Sequence, residues 1–88
     1  MSLVHRFIFT KFAEKKFLQL ENQAQSRIRA KLEEIKNHER IGSALKPLVN
    51  FGEATHRLRV GDHRIILRRT SERDFLVLDV GHRGDVYK

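Results

Sequence analysis

The chain has 88 residues, 40% of them hydrophobic, which is enough for one domain over 1–88 with one modest core and no second. It has no cysteine and one proline, which excludes a disulfide scaffold and a Cys-based zinc site and fits a cytoplasmic protein. Lys plus Arg number 18 against 11 acidic residues, a net charge of +7 that predicts an anionic partner, nucleic acid or an acidic protein.

The N-terminal MSLVHRFIFT holds no apolar stretch long enough for a signal peptide or a membrane span, so no membrane partner is expected. Within it, residues 3 to 9 read as a strand, because Phe and Ile cluster there and both faces are largely apolar. Thr10 is a good N-cap for a first helix, TKFAEKKFLQL, with Ala13, Phe17 and Leu20 at helical spacing. A short break precedes a second helix from about Gln23 to His38, on which Ala24, Ile28, Leu32 and Ile35 form one apolar stripe. The short break predicts an antiparallel helical hairpin. Residues 40 to 53 are loop-like, broken by Gly42, Pro47 and Gly52, with Leu45, Leu48 and Phe51 expected to pin the loop over the core. Three strands follow, at about 54 to 60, 63 to 69 and 74 to 82. Gly61-Asp62 closes the first pair as a two-residue type II′ turn. The order β-α-α-β-β-β predicts an α+β domain, a helical hairpin packed on a small, mainly antiparallel four-stranded sheet.

The stretch HRLRVGDHRIILRR, residues 56 to 69, holds five arginines in fourteen positions. A two-residue loop fixes the register: Val60 opposite His63, Arg59 opposite Arg64, Leu58 opposite Ile65, Arg57 opposite Ile66. Paired residues share a face and neighbours alternate. One face therefore collects Leu58, Val60, Ile65 and Leu67 beneath the helices, and the other Arg57, Arg59, Arg64 and Arg68. In the last strand the same alternation puts Leu76, Leu78 and Val80 on the core face, and Phe75, Val77, Asp79, Gly81 and Arg83 on the arginine face. Like charges directly opposite in a sheet are destabilising, and Thr or Gln would serve a solvated strand better. The pattern predicts a phosphate-binding floor, since the guanidinium fork grips phosphate oxygens and stacks on bases. The bland alternative is an exposed sheet face softened by Asp79 and Glu53. No His/Asp/Glu spacing suggests a metal site, and no cofactor is expected.

The run HRLRVGDHRIIL, followed after a strand by VGHRGDVY, resembles the RelE/ParE superfamily of type II toxins over nearly the whole chain. The resemblance implies a RelE-like fold. RelE-type members are ribosome-dependent mRNA interferases that cut the codon in the A site; ParE-type members poison DNA gyrase and lack the cutting residues. The RelE-type pattern implies catalytic roles for Arg57, Arg59, Arg64, Arg83 and Tyr87. RNA contacts are expected at Arg57, Arg59, Arg68 and, in a supporting role, His82. The implied partners are an acidic RelB-like antitoxin, mRNA and the ribosomal A site. One departure stands out: RelE itself has lysines where this chain has Arg57 and Arg59. Arginine, with a pKa above about 12, is a poor base and a good stabiliser of phosphate charge. His56 and His63 map to the core side or its rim, and His82 alternates away from Arg83 unless the strand end twists. The RGD of HRGDVYK reads as a strand exit. Two further readings stay open: a ParE-like gyrase poison, and a member retaining only antitoxin binding.

Overall fold

A computed structural model describes residues 4 to 82. The elements in chain order are β1 (Arg6–Phe9), α1 (Lys11–Leu18), α2 (Asn22–Ile35), a single-turn α3 (Ile41–Ala44), β2 (Lys46–Pro47), β3 (His56–Val60), β4 (His63–Arg69) and β5 (Asp74–His82). The sheet has five strands in the order β1-β5-β4-β3-β2, one more than the four expected. The extra strand is the two-residue β2, which lies antiparallel on β3 and carries Pro47 at the sheet edge, where a missing N–H costs no ladder bond. Only β1 runs parallel to its neighbour, β5; the other pairings are antiparallel.

Local chemistry accounts for the helices. The Thr10 hydroxyl accepts a hydrogen bond from the Ala13 N–H at 3.0 Å, the expected N-cap. Gln25 donates from its side chain to the Leu18 and Leu20 carbonyls, closing the C-terminal end of α1 and fixing the hairpin break. Every residue of the expected α2 stripe, Ala24, Ile28, Leu32 and Ile35, is buried. Ile28, Leu32 and Ile35 of that stripe pack with Phe17, Leu58, Ile65, Leu67, Phe75, Val77 and Val80 in one core, each fully buried large side chain contributing about 1.5–3 kcal/mol.

The β3–β4 hairpin has the predicted register throughout, from His56 opposite Leu67 to Val60 opposite His63. Gly61 sits at φ +60° while Asp62 does not take a positive φ, the combination a type II′ turn requires and the reason glycine comes first.

The phase of β5 departs from the simple alternation. Ile65 pairs with Val80 and Ile66 with Asp79, but Leu67 pairs with Val77, so Leu78 is an extra residue in a β-bulge. Before the bulge Phe75 and Val77 face the helices and are fully buried; after it Val80 does so. Phe75 and Val77 are therefore core residues, not members of the arginine face, while Leu76 and Leu78 lie on that face. The pull on Phe75 is visible in its ring stack with Phe7, 5.5 Å between centroids. The 40–53 segment also divides. Leu45 enters the main core, Leu48 joins Ala54, Ile66 and Leu78 in a small cluster on the opposite face, and Phe51 stays 38% exposed.

Candidate nucleic-acid interface

The face of the sheet away from the helices carries the basic side chains. Arg59 stands directly opposite Arg64, and Arg57 opposite Ile66, as the two-residue loop dictates. Arg59 and Arg68 are exposed, while Arg57 and Arg64 are half-buried. The Nε of Arg64 is shielded from solvent. Lys46 pairs with Arg57 across β2–β3 and shares its face. This lysine escaped sequence reasoning because a two-residue strand inside a loop-like segment leaves no periodic signal.

Among the described residues, two acidic side chains lie close to this row. Glu53 accepts from Arg68 at 3.2 Å, both side chains being well exposed. Such a pair is worth about 0–1 kcal/mol, so a phosphate can displace it. Asp79 is engaged elsewhere: its carboxylate takes the Lys16 ammonium and the Val80 N–H. Beside the basic row, Ile66, Leu78, Leu48 and Ala54 form an apolar patch, and Leu76 and the exposed Ile8 carry that character toward β1. Along the strands the face thus runs from Arg59 and Arg64 beside the Gly61 turn to an apolar band of Ile66, Leu78, Leu48 and Ala54, with Arg57 and Arg68 beside that band. That is the chemistry needed to hold phosphates and to lay ribose and base edges on carbon.

The fifth arginine of the opening stretch serves the other face. The Arg69 guanidinium lies 5.2 Å from the centre of the Phe75 ring and donates to the Ser71 and Glu72 carbonyls, bracing the β4–β5 turn. His56 lies there too, its Nδ1 2.9 Å from the Thr55 hydroxyl and its ring edge-on to Phe75. Burial, and secondarily the Arg69 charge, lower the His56 pKa from its ordinary value. His5 is buried with its Nδ1 3.1 Å from the Lys36 carbonyl. His82 pairs with His63 on the helix side, 5.6 Å between ring centroids, so β5 delivers it to the face opposite Arg59 and Arg64.

The register therefore brings together Arg57, Arg59, Arg64 and Arg68, adds Lys46, and separates His82 from them. Arg83 and Tyr87 lie outside the described residues. Among the described residues, no group of three or more His, Cys, Asp or Glu side chains is gathered to hold a metal ion. No helix of the described residues is long and apolar enough to cross a membrane.

Comparison with solved structures returns toxins of one architecture. A RelBE toxin–antitoxin complex from Mycobacterium tuberculosis matches with a TM-score of 0.75 at 21% identity, over 91% of this chain and 99% of that one. A RelB–RelE complex from Methanococcus jannaschii matches at TM-score 0.70 and 23% identity, over 91% of this chain and 94% of that one. The isolated RelE toxin of E. coli matches at 0.68 and 21%, over 90% and 84%. These likenesses establish the RelE-like fold. No curated protein gives a significant sequence match. The model of the ParE toxin of type II toxin–antitoxin systems matches residues 7–87. With nearly the whole chain matched and the fold shared with RelE, the protein belongs to the ParE toxin family within the RelE/ParE superfamily of type II toxin–antitoxin toxins.

Proposed function

We propose that this toxin acts as a ribosome-dependent mRNA endoribonuclease of the RelE type, cutting the codon in the A site and thereby stopping translation. The observation that carries the reading is the directly opposed Arg59–Arg64 pair, with Arg57 and Lys46 on the same face. A fold that places like charges across a ladder without a structural need gains by receiving a polyanion. In the reaction the ribose O2′ attacks the adjacent phosphorus, the P–O5′ bond breaks, and a 2′,3′-cyclic phosphate and a 5′-hydroxyl result. The O2′ proton must leave and the O5′ must gain one. Arg57, Arg59 and Arg64 serve as stabilisers of the negative charge that grows on the phosphoryl oxygens. Arginine is a poor base at neutral pH, so the reaction on this face rests mainly on positioning and electrostatics, with Arg83 as a further phosphate ligand and Tyr87 as base-stacking and proton-transfer partner. Arg68, paired with Glu53, contributes RNA affinity more than rate. His82 is dropped from the RNA contacts, because it stands on the helix side with His63.

The partner of opposite sign is an acidic antitoxin of the RelB kind, which supplies both carboxylates and apolar side chains, and the setting is the cytoplasm. The fold relatives solved as RelB–RelE complexes support an antitoxin of this type. The second reading, a gyrase poison without nuclease activity, is favoured by the family model, which is that of ParE. Two assays separate them. Purified chain is added to a translating extract and mRNA ends are mapped by primer extension; in parallel it is added to a gyrase supercoiling reaction. Cuts inside the A-site codon with unimpaired supercoiling support the nuclease. Intact mRNA with blocked supercoiling establishes the gyrase poison instead.

A further inference from the structure

We infer that His63 and His82 form a two-histidine site for a divalent late-transition-metal ion, of the zinc, nickel or copper class, where β4 and β5 meet the helical hairpin. The two residues are direct partners in the antiparallel β4–β5 ladder. His63 also flanks the two-residue Gly61-Asp62 loop and so exchanges its backbone hydrogen bonds with Val60 on β3. Toward β5 it is therefore a non-hydrogen-bonded position, where opposed Cα atoms approach to about 4.5 Å and side chains come closest. The rings stand edge to face with centroids 5.6 Å apart.

That spacing suits chelation. An ion bound at about 2.0–2.1 Å to one nitrogen of each imidazole, at a tetrahedral angle, sets the ring centroids roughly 5.2 Å apart. The observed centroids lie within half an ångström of that separation, and turning the rings out of their edge-to-face arrangement aims one nitrogen of each at the ion. His63 is half-buried and His82 exposed, so the ion enters from solvent. Both line a surface pocket of about 450 Å³ with Glu21 and Asp62, whose carboxylates favour a cation, and with Arg27, which opposes it. The carboxylates are not gathered with the imidazoles into a three-ligand cluster, so water completes the coordination and the ion exchanges readily. Imidazole pairs of this kind prefer copper, nickel and zinc over magnesium or calcium. The inference does not depend on nuclease activity. An ion here ties the end of β5 to β4 one residue before Arg83.

The test is a titration of the full chain with nickel(II), followed by NMR of the histidine ring protons, with zinc(II) calorimetry alongside. Nickel is expected to broaden the His63 and His82 signals together, ahead of His5, His38 and His56. Zinc is expected to bind at one ion per chain and to weaken about tenfold or more in His63→Asn and in His82→Asn, while His38→Asn binds as wild type. Broadening that begins at His38, absence of binding, or unchanged zinc affinity in either variant overturns the site.

Discussion

Replacing Arg59 with glutamine should make the free toxin more stable while disabling it, and the size of both effects follows from one cross-strand pair. Arg59 faces Arg64 directly. Arg59 is exposed, and none of the ion pairs among the described residues includes it. Paired Cβ atoms sit about 5 Å apart and long stems splay, so the two charges lie roughly 7 Å from each other. In water-like dielectric the repulsion is then about 0.6 kcal/mol, and salt near 0.1 M roughly halves it. A gain of about 0.3–0.6 kcal/mol should raise the melting temperature of a domain this size by about 1–5 °C. The assay is thermal unfolding by circular dichroism in low salt and again in 1 M salt, where the screening length is about 3 Å and the gain should vanish. In the translating extract the same variant should cut on the order of 100-fold more slowly, the usual cost of losing one charge-stabilising donor. A variant that is less stable than wild type, or a gain that persists in 1 M salt, refutes the view that this pair stores repulsion for a polyanion.

Three further outcomes follow from the same geometry. Binding of single-stranded RNA should weaken with salt at a slope of roughly −0.7 per phosphate contact in a plot of log K against log salt, for four or five contacts; a flat plot removes the phosphate floor. Arg64→Ala should lower the cleavage rate on the order of 100-fold with little change in RNA affinity, because it acts on charge that grows in the transition state, whereas Arg68→Ala, already paired with Glu53, should act mainly on affinity. Equal effects at the two positions would reduce the face to a nonspecific clamp. His56 has a lowered pKa in the fold through burial and then Arg69, so the unfolded chain takes up this proton first. Stability should hold above the ordinary value of 6.5 and decline as pH falls below it toward the lowered folded value; chemical denaturation across pH 5 to 8 with His56→Gln as reference measures this slope, which the variant should flatten.

Much of this molecule was readable in advance where a rigid rule applied. A two-residue turn leaves no freedom of register, so Gly61-Asp62 alone set every cross-strand pair from Arg57 to Arg64. Helical spacing alone set the buried stripe of α2. The phase of β5 was not readable, because Phe75, Leu76, Val77 and Leu78 are apolar on both faces and a bulge shifts the phase by one residue. Once Phe75 is on the helix side, the job of Arg69 becomes plain. Its parity matches Ile65 and Leu67, but plain alternation along β5 puts the ring it braces on the other face. Lys46 was hidden for a different reason: two residues, one of them proline, carry no period.

The sheet keeps its imidazoles on one side and its row of opposed basic side chains on the other. Imidazoles lie on the helix side or its rim: His5 and His56 beside Phe75, and His63 with His82. On the opposite face the row facing away from the helices is built of guanidiniums and one lysine. On the proposed nuclease reading such a face works by position and charge rather than by proton transfer, since a guanidinium is a poor base. On that reading the proton transfers fall to another group, and Tyr87 is the residue beyond 82 with a phenol to offer. Arginine at positions 57 and 59, where RelE carries lysine, fits that division: it forgoes a group whose pKa can be lowered into service as a base and gains a planar fork that holds phosphate more rigidly.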